Sequence, residues 1–347
     1  DDYHIAFAEM LAEIQAYGEA RDVPFLFVLN PEKAAVYPDK LRDGIHYDRS
    51  WVQQFEQKLD ELGVNYIDNT QLLQDRRAEG EQVFNKVYNA GHWNDLGAFY
   101  GVNNILESLS GFFPSIQPNE LGDFAVTETL QETLLSSQFP IHEYEPTFGR
   151  LCELEVKTEE YDAEVARNSQ HRGFGYFVNP ENVAAGAPKT LVFQGSYMNE
   201  MGFKFLQTGL GEYIYVHNYE NLMDFDYYFN IFQPECVVVE VAEYTVNSGY
   251  FNAERVENFS LNSVLTLDDA AWQADREDLS PQIVEGERLS TLTVSLPEET
   301  RYAYLLSEGK TFDLIEGEQG WQASVEKENL SADYTVVAVG ADGEQTR

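Results

Sequence analysis

Thr190-Leu-Val-Phe-Gln-Gly-Ser-Tyr-Met198 is the stretch on which the reading of this chain turns. An apolar run ends in Gly195-Ser196, and Met198–Gln207 carries on with helical spacing. A run without polar alternation is what a strand buried on both faces of a parallel sheet requires. The same texture recurs on either side. Phe25-Leu-Phe-Val-Leu29 follows Pro24 and is closed by Asn30-Pro31. Val64-Asn-Tyr-Ile67, Tyr213-Ile-Tyr-Val216 and Cys236–Val241 read as further strands. Helices are expected between them: 2–20, where Phe7, Met10, Leu11 and Ile14 share one face, then 50–62, 219–231, and a helix from the N-cap Asn94 to about Ser108. Strands alternating with helices predict an α/β fold, a mostly parallel sheet flanked by helices. Residues 110–187 hold Pro114, Pro118, Pro140 and Pro146 and little periodicity, and read as an excursion with some helix.

The texture changes after about residue 260. Leu292, Val294 and Leu296 alternate with polar residues, and Tyr302–Leu306 and Tyr334–Val339 are strand-like, with Gly309 and Gly340 as turns. This predicts a small C-terminal all-β domain, sandwich-like, over 260–347, after an α/β domain over 1–255. A chain of 347 residues accommodates both, at roughly 150 residues per domain.

Sixty acidic against 22 basic residues give a formal charge of −38, which repels phosphate backbones and anionic membrane surfaces. Nucleic acid is therefore not an expected partner. Two cysteines, Cys152 and Cys236, make neither a disulfide framework nor a zinc site, and no two histidines have ligand spacing, so no metal is expected. No run of ~18 apolar residues is present to span a bilayer. The chain opens at Asp1-Asp2 without methionine, as after removal of a leader or anchor.

Ser196 stands where a buried strand feeds a helix, and ligands of open α/β sheets bind beyond the carboxyl ends of strands. As a nucleophile it would draw on the backbone N–H groups of Gly195 and Ser196 for an oxyanion; otherwise it is an N-cap. His92 lies in Tyr88-Asn-Ala-Gly-His-Trp-Asn-Asp-Leu-Gly-Ala98, just ahead of a helix N-cap. It is either the general base that serine chemistry needs or a histidine packed on Trp93. His4, His46, His142 and His171 lack such a setting, and His217, which follows a strand, is the nearest alternate.

Gly91-His-Trp-Asn-Asp-Leu-Gly-Ala98 is similar to the Asp-x-His-Trp-x-x-x-Gly-Ala motif of the alginate O-acetyltransferase-like branch of the SGNH hydrolases. Val192-Phe-Gln-Gly-Ser-Tyr197 stands in the place of that family's Gly-Asp-Ser-Phe nucleophile block, with glycine where the aspartate would be. Leu29-Asn-Pro-Glu-Lys-Ala-Ala-Val-Tyr-Pro38 resembles the early Pro-x-Lys…Tyr-Pro segment, and Pro234–Glu243 the late strand with trailing acids. The resemblance covers residues 1 to about 255. It implies an SGNH-hydrolase-like domain in which Ser196 forms an acetyl-serine and His92 is the base. It further implies acetyl transfer to, or removal from, hydroxyls of an extracellular polysaccharide, without a cofactor. An acetyl donor, a polysaccharide acceptor, a membrane-bound O-acyltransferase partner and an extracellular or cell-surface location follow from it.

The family's orienting aspartate is absent: Ala90 stands two residues before His92. Asn89, Asp95, or a residue distant in sequence could take its place, although Asp95 also reads as a helix N-terminal acid. Asn30, Lys33, Tyr37, Trp93 and Tyr197 are substrate-side candidates, with Lys33 and Tyr37 either lining a cleft or lying on the surface. Glu240 and Glu243 trail the last strand, as site residues or as two more acids in an acidic chain. In the C-terminal part Trp272 and Trp321 are either sugar-stacking platforms or core. A catalytically weak or inactive polysaccharide-binding or assembly protein is the alternative to the enzyme, and the sequence does not choose transferase over esterase.

Overall fold

The computed structural model describes residues 2–86, 91–133, 140–262, 281–340 and 345–346. These divide into two compact units, Asp1–Thr158 with Arg167–Met223 and Glu235–Ser260, and Glu159–Ala166 with Asp224–Pro234 and Leu261–Arg347. Boundaries drawn at 255 and 260 thus leave two short upstream segments out of the second unit.

The first unit is built on β1 (Phe25–Asn30), β2 (Tyr66–Asp68), β3 (Phe124–Thr133), β4 (Pro140–Arg150), β5 (Glu155–Val156), β6 (Phe174–Val178), β7 (Lys189–Gln194), β8 (Glu212–His217) and β9 (Cys236–Ala242). Among the described residues, seven of these form a sheet in the order β2-β1-β9-β7-β8-β6-β5. From β2 through β8 the neighbours run parallel, and β6 joins antiparallel. Both faces are covered. Phe27 meets Phe55 of the helix Ser50–Leu62, which lies beside the helix Asp2–Glu19 through Phe7. Leu26 and Val28, pointing the other way, share a core with Val102, Ile105 and Leu106 of the helix Asp95–Ser110 and Phe205 of the helix Phe203–Gly209. That two-sided burial explains why β1 and β9 are buried at every position.

Residues 110–187 carry some helix, as expected, at Thr158–Tyr161 and Pro180–Ala184, and more strand besides. They hold the β3–β4 hairpin, paired from Phe124↔Arg150 to Thr133↔Pro140, and the strands β5 and β6. Strand β4 tolerates Pro140 and Pro146 because a two-stranded sheet has only edges. The turn after β7 also departs from expectation. Ser196 and Tyr197 open a helical turn, Met198–Gly202 is π-helical, with Phe203 N–H reaching back to Met198 O, and the helix Phe203–Gly209 continues from it. One-turn π segments concentrate at functional sites.

In the second unit β10 (Gln282–Glu285), β11 (Leu289–Val294), β12 (Thr300–Ser307), β13 (Lys310–Gly317), β14 (Gly320–Glu326), β15 (Thr335–Gly340) and β16 (Gln345–Thr346) form one antiparallel sheet, in the order β10-β11-β14-β13-β12-β15-β16. A single sheet, not two, results because β13 pairs with β12 along its first half and with β14 at its end. Leu292, Leu305, Phe312, Ala323 and Val325 form its core, and Trp321 packs against them. The helix Phe225–Phe232 belongs here: the Asn230 amide donates to Asp313 O at 2.8 Å and accepts from Asp313 N–H at 3.0 Å. Trp272 lies outside the described residues.

Candidate active site

Strand β7 is followed on one side by β8 and on the other by β9, and β9 lies against β1, so the chain reverses its winding here. A crevice opens at the carboxyl ends of strands where winding reverses. Ser196 follows β7, Tyr244 follows β9, and Lys33 follows β1. Into this crevice comes His92, from just ahead of the helix Asp95–Ser110.

The histidine segment is pinned on both sides. Asn94 N–H donates to Val83 O at 3.2 Å, and its side-chain oxygen caps the helix by accepting from Gly97 N–H at 2.9 Å. Gly97 and Gly101 let the helix close on this segment, since a Cβ at Gly101 would stand 2.4 Å from the Trp93 ring. Trp93 is fully buried, and its indole N–H donates to Tyr197 O at 3.1 Å. Tyr197, also fully buried, sends its hydroxyl to Pro31 O at 2.9 Å and Gly91 O at 3.2 Å. The residue after His92 and the residue after Ser196 therefore clamp the two segments to each other and to the end of β1. Both were expected on the substrate side; burial makes them scaffold.

The result is a His92 Nε2–Ser196 Oγ distance of 2.9 Å. Tyr244 OH stands 3.1 Å from the same Oγ. Burial holds the His92 imidazole below its usual range, against the pull of the Glu200 carboxylate, so the neutral, proton-accepting form is favoured. Burial likewise raises the Tyr244 phenol, which keeps its proton as a donor.

A cleft of about 590 Å³ opens beside them, lined by His92, Tyr244, Lys33 and Tyr37 together with Glu32, Ala34, Lys40, Leu41 and Gly91. Such a volume suits a small ligand. Lys33 and Tyr37 thus lie in the cleft wall. The Lys33 ammonium donates to Lys86 O at 3.1 Å and to Asn85 O. Burial lowers it, and the nearby Glu143 and Glu145 carboxylates oppose that shift. Those two acids are themselves buried in β4, and Glu145 is pushed up to about 8 by burial and by Glu143 beside it.

Three sequence expectations are corrected. Asp95 does not face His92: its Oδ2 accepts from Lys204 Nζ at 2.6 Å and from Phe148 N–H at 2.9 Å, as a buried helix N-terminal acid in an ion pair. Asn30 is fully buried beneath the site and donates to Glu240 Oε1 at 2.7 Å, out of reach of substrate. Gly195 cannot lend its N–H to an oxyanion, because that N–H donates to Glu240 Oε2 at 2.8 Å. The Ser196 N–H remains for that task, as one of the first N–H groups of a helix, which have no intrahelical acceptor. Asn89 and Ala90 lie outside the described residues. His217 stacks on His171 with centroids 4.9 Å apart, and burial lowers it to about 4.

Glu243 ties the crevice rim together. Its Oε1 accepts from Arg49 Nε at 2.9 Å and Tyr47 OH at 3.1 Å, and its Oε2 accepts from Glu32 N–H at 3.2 Å. Sequence reasoning missed Tyr244 and Glu200. The rule that ligands gather past strand ends would have pointed to Tyr244, two residues beyond β9.

A serine–histidine pair at the switch point of a doubly wound sheet places the chain among SGNH-hydrolase-like α/β proteins. The family described as SGNH hydrolase-like domain, acetyltransferase AlgX, matches residues 5–184, and the chain belongs to that family. Its fold is similar to that of Bacillus cereus PatB1, at 16% identity and a TM-score of 0.53, covering 71% of this chain and 91% of that one. PatB1 with a sulfonyl adduct aligns at 15% identity and a TM-score of 0.54, over 75% and 93% of the two chains. A DHHW family protein from Eubacterium siraeum aligns at 14% identity and a TM-score of 0.50, over 74% and 89%. No curated protein matches the sequence. Among the described residues no helix is long and apolar enough to cross a membrane.

Proposed function

We propose that this chain moves acetyl groups to or from polysaccharide hydroxyls through an acetyl-serine on Ser196. The observation that carries the reading is the 2.9 Å approach of His92 Nε2 to Ser196 Oγ, in a family described by an acetyltransferase. Ser196 Oγ attacks the acetyl carbonyl carbon while its proton passes to His92 Nε2. The carbonyl oxygen becomes an oxyanion, held by the Ser196 N–H and the Tyr244 hydroxyl. The C–O bond to the donor breaks as His92 returns the proton to the departing oxygen, leaving acetyl-serine. A sugar hydroxyl, or water in the esterase case, then gives its proton to His92 and takes the acetyl group. Lys33 and Tyr37 line the approach for the acceptor or donor. No metal or organic cofactor is needed, and an extracellular site with a membrane-bound O-acyltransferase as donor partner accords with the resemblance.

The test is incubation with p-nitrophenyl acetate, with intact mass and turnover read together. The proposal expects one acetyl group on Ser196 and loss of turnover in a folded Ser196→Ala protein. Turnover that survives Ser196→Ala refutes the nucleophile. A second reading, a polysaccharide-binding or assembly protein, is favoured by Ala90 standing where the family has its acid. Absence of both adduct and turnover, with retention of the chain on a polysaccharide resin, establishes that reading instead.

A further inference from the structure

Beneath the Gly195–Ser196 turn lies a carboxylate that none of the steps above uses. Glu240 sits within β9 and is fully buried. Its Oε1 accepts from Asn30 Nδ2 at 2.7 Å and its Oε2 from Gly195 N–H at 2.8 Å. Behind Asn30 the amides line up. Asn104 Nδ2 donates to Asn69 Oδ1 at 2.9 Å, and Asn69 Nδ2 donates to Asn30 Oδ1 at 2.8 Å. In that row one amide hydrogen of each asparagine is directed toward Glu240, while Asn69 Nδ2 also reaches Gly101 O at 3.4 Å, and turning Asn30 over would set its NH2 against that of Asn69 and its oxygen against the carboxylate. The row therefore suits an acceptor-only group, the ionised carboxylate. A carboxylic acid would keep fewer acceptor sites for these donors and would need an acceptor for its own proton.

Burial pulls the other way. It pushes the Glu240 carboxyl up to about 7, with the Gly195 and Asn30 bonds opposing. The titratable groups that sense its charge are phenols, those of Tyr197, Tyr213, Tyr219 and Tyr244. Asn218 donates to its main-chain carbonyl at 2.7 Å. Two opposed preferences, for the ion by hydrogen bonding and for the acid by burial, place the group where a change of pH can switch it.

We propose that Glu240 is a positioning residue for the nucleophile. Its ionised carboxylate, oriented by the Asn104–Asn69–Asn30 relay, fixes the turn that presents Ser196, and protonation of Glu240 releases that turn. The inference rests on Ser196 being the nucleophile. It adds a second proton to the acid side of the pH profile, beside the one on His92.

The test follows the rate at which Ser196 is modified by phenylmethylsulfonyl fluoride, read by intact mass from about pH 5 to pH 9, alongside kcat and KM for p-nitrophenyl acetate. The wild-type protein should show a log-rate slope approaching two on the acid limb. Glu240→Gln keeps the shape but turns one acceptor into a donor against Gly195 N–H or Asn30. It should lower kcat on the alkaline side by ~10-fold or more with KM unchanged, and leave a slope of one. Adding Asn30→Asp restores the match, since that carboxylate accepts from the new amide and from Asn69, leaving the Gln oxygen for Gly195 N–H. The double variant should return kcat to within about threefold of wild type. A folded Glu240→Gln protein with wild-type kcat and pH profile overturns the proposal, and so does failure of the folded double variant to recover. Should Glu240→Gln not fold, the wild-type slope decides, and a slope of one overturns the proposal. A wild-type protein left unmodified at every pH overturns the nucleophile reading itself, an outcome distinct from modification with the wrong slope.

Discussion

Tyr244→Phe removes one oxygen and keeps the ring, which packs 6.2 Å from Tyr197 and 6.0 Å from Tyr250. In the resting state the lost contact is a single bond to Ser196 Oγ at 3.1 Å. A neutral bond of that kind contributes about 1 kcal/mol, and losing it alone would change the rate by no more than ~5-fold. The hydroxyl matters more once the acetyl oxygen carries charge. Gly195 N–H is held by Glu240, so Ser196 N–H and Tyr244 OH are left to meet the oxyanion. Deleting one oxyanion donor costs roughly 2.7–4 kcal/mol, or 10²–10³ in kcat. With few donors to share the load, we predict a fall of about 100-fold or more in kcat, with KM changed little. Steady-state hydrolysis of p-nitrophenyl acetate measures it, with circular dichroism and a thermal melt to show that the fold is intact. A folded Tyr244→Phe protein whose kcat stays within about fivefold of wild type would refute the assignment, because that is all a resting-state bond can account for.

Other outcomes are expected from neighbouring residues. Asp95→Ala should cost about 3 kcal/mol of stability by leaving Lys204 without its buried partner, yet alter kcat by less than about threefold; a collapse of kcat in a folded protein would make Asp95 the orienting acid after all. Gly195→Asp, which writes the family's block into this chain, puts a Cβ 3.7 Å from Glu240 Oε2 and 3.4 Å from Asn218 Nδ2. It should lower the melting temperature at pH 8, where both carboxylates are charged, and less at pH 5, where one takes a proton; equal melts at the two pH values would contradict this. Ala90→Asp should raise turnover by ~10-fold, worth about 1.4 kcal/mol, by giving the imidazolium a charged neighbour at the family's spacing; flat turnover counts against it. The His92 imidazole is held low by burial, so its contribution to stability is present above its unfolded range and is lost as pH falls through the folded value. Glu200→Gln should lower that value further, and an unmoved His92 titration by NMR would refute the Glu200 influence.

The elements legible in the sequence are those whose burial is uniform. Strands β1 and β9 are apolar nearly throughout, and β7 over Leu191-Val-Phe193, because both faces are covered, and the helix Asp95–Ser110 announces itself through the cap at Asn94. The β3–β4 hairpin was illegible for the opposite reason. Val126 and Tyr144 are exposed while Glu143 and Glu145 are buried, so polarity does not mark the inner face. At the site, Ser196 and His92 could be singled out one at a time, but their 2.9 Å approach depends on the Trp93–Tyr197 clamp, which composition does not encode. Tyr244 is one of 21 tyrosines, and only its position past β9 distinguishes it. The engagement of Gly195 N–H is illegible in the sequence because a backbone N–H carries no signal of its partner. Here the partner is Glu240, 45 residues away, on a strand that chain order does not place beside β7.

The two departures from the family pattern can be understood together. Both remove an aspartate, at positions 90 and 195, and near Gly195 and near His92 the chain carries a carboxylate from elsewhere. Beneath position 195 lies Glu240, close enough that an aspartate side chain would meet it as a like charge in a buried place. Glycine there keeps a second carboxylate away from Glu240. Near His92 the acid is Glu200, four residues past Ser196, which puts it on the face of the helical turn that carries the nucleophile. Glu200 is exposed, and water screens its pull on the imidazolium more than it would a buried aspartate's. The arrangement that results is a serine–histidine pair whose base is favoured in its neutral form by burial and whose serine follows a glycine that stays clear of Glu240.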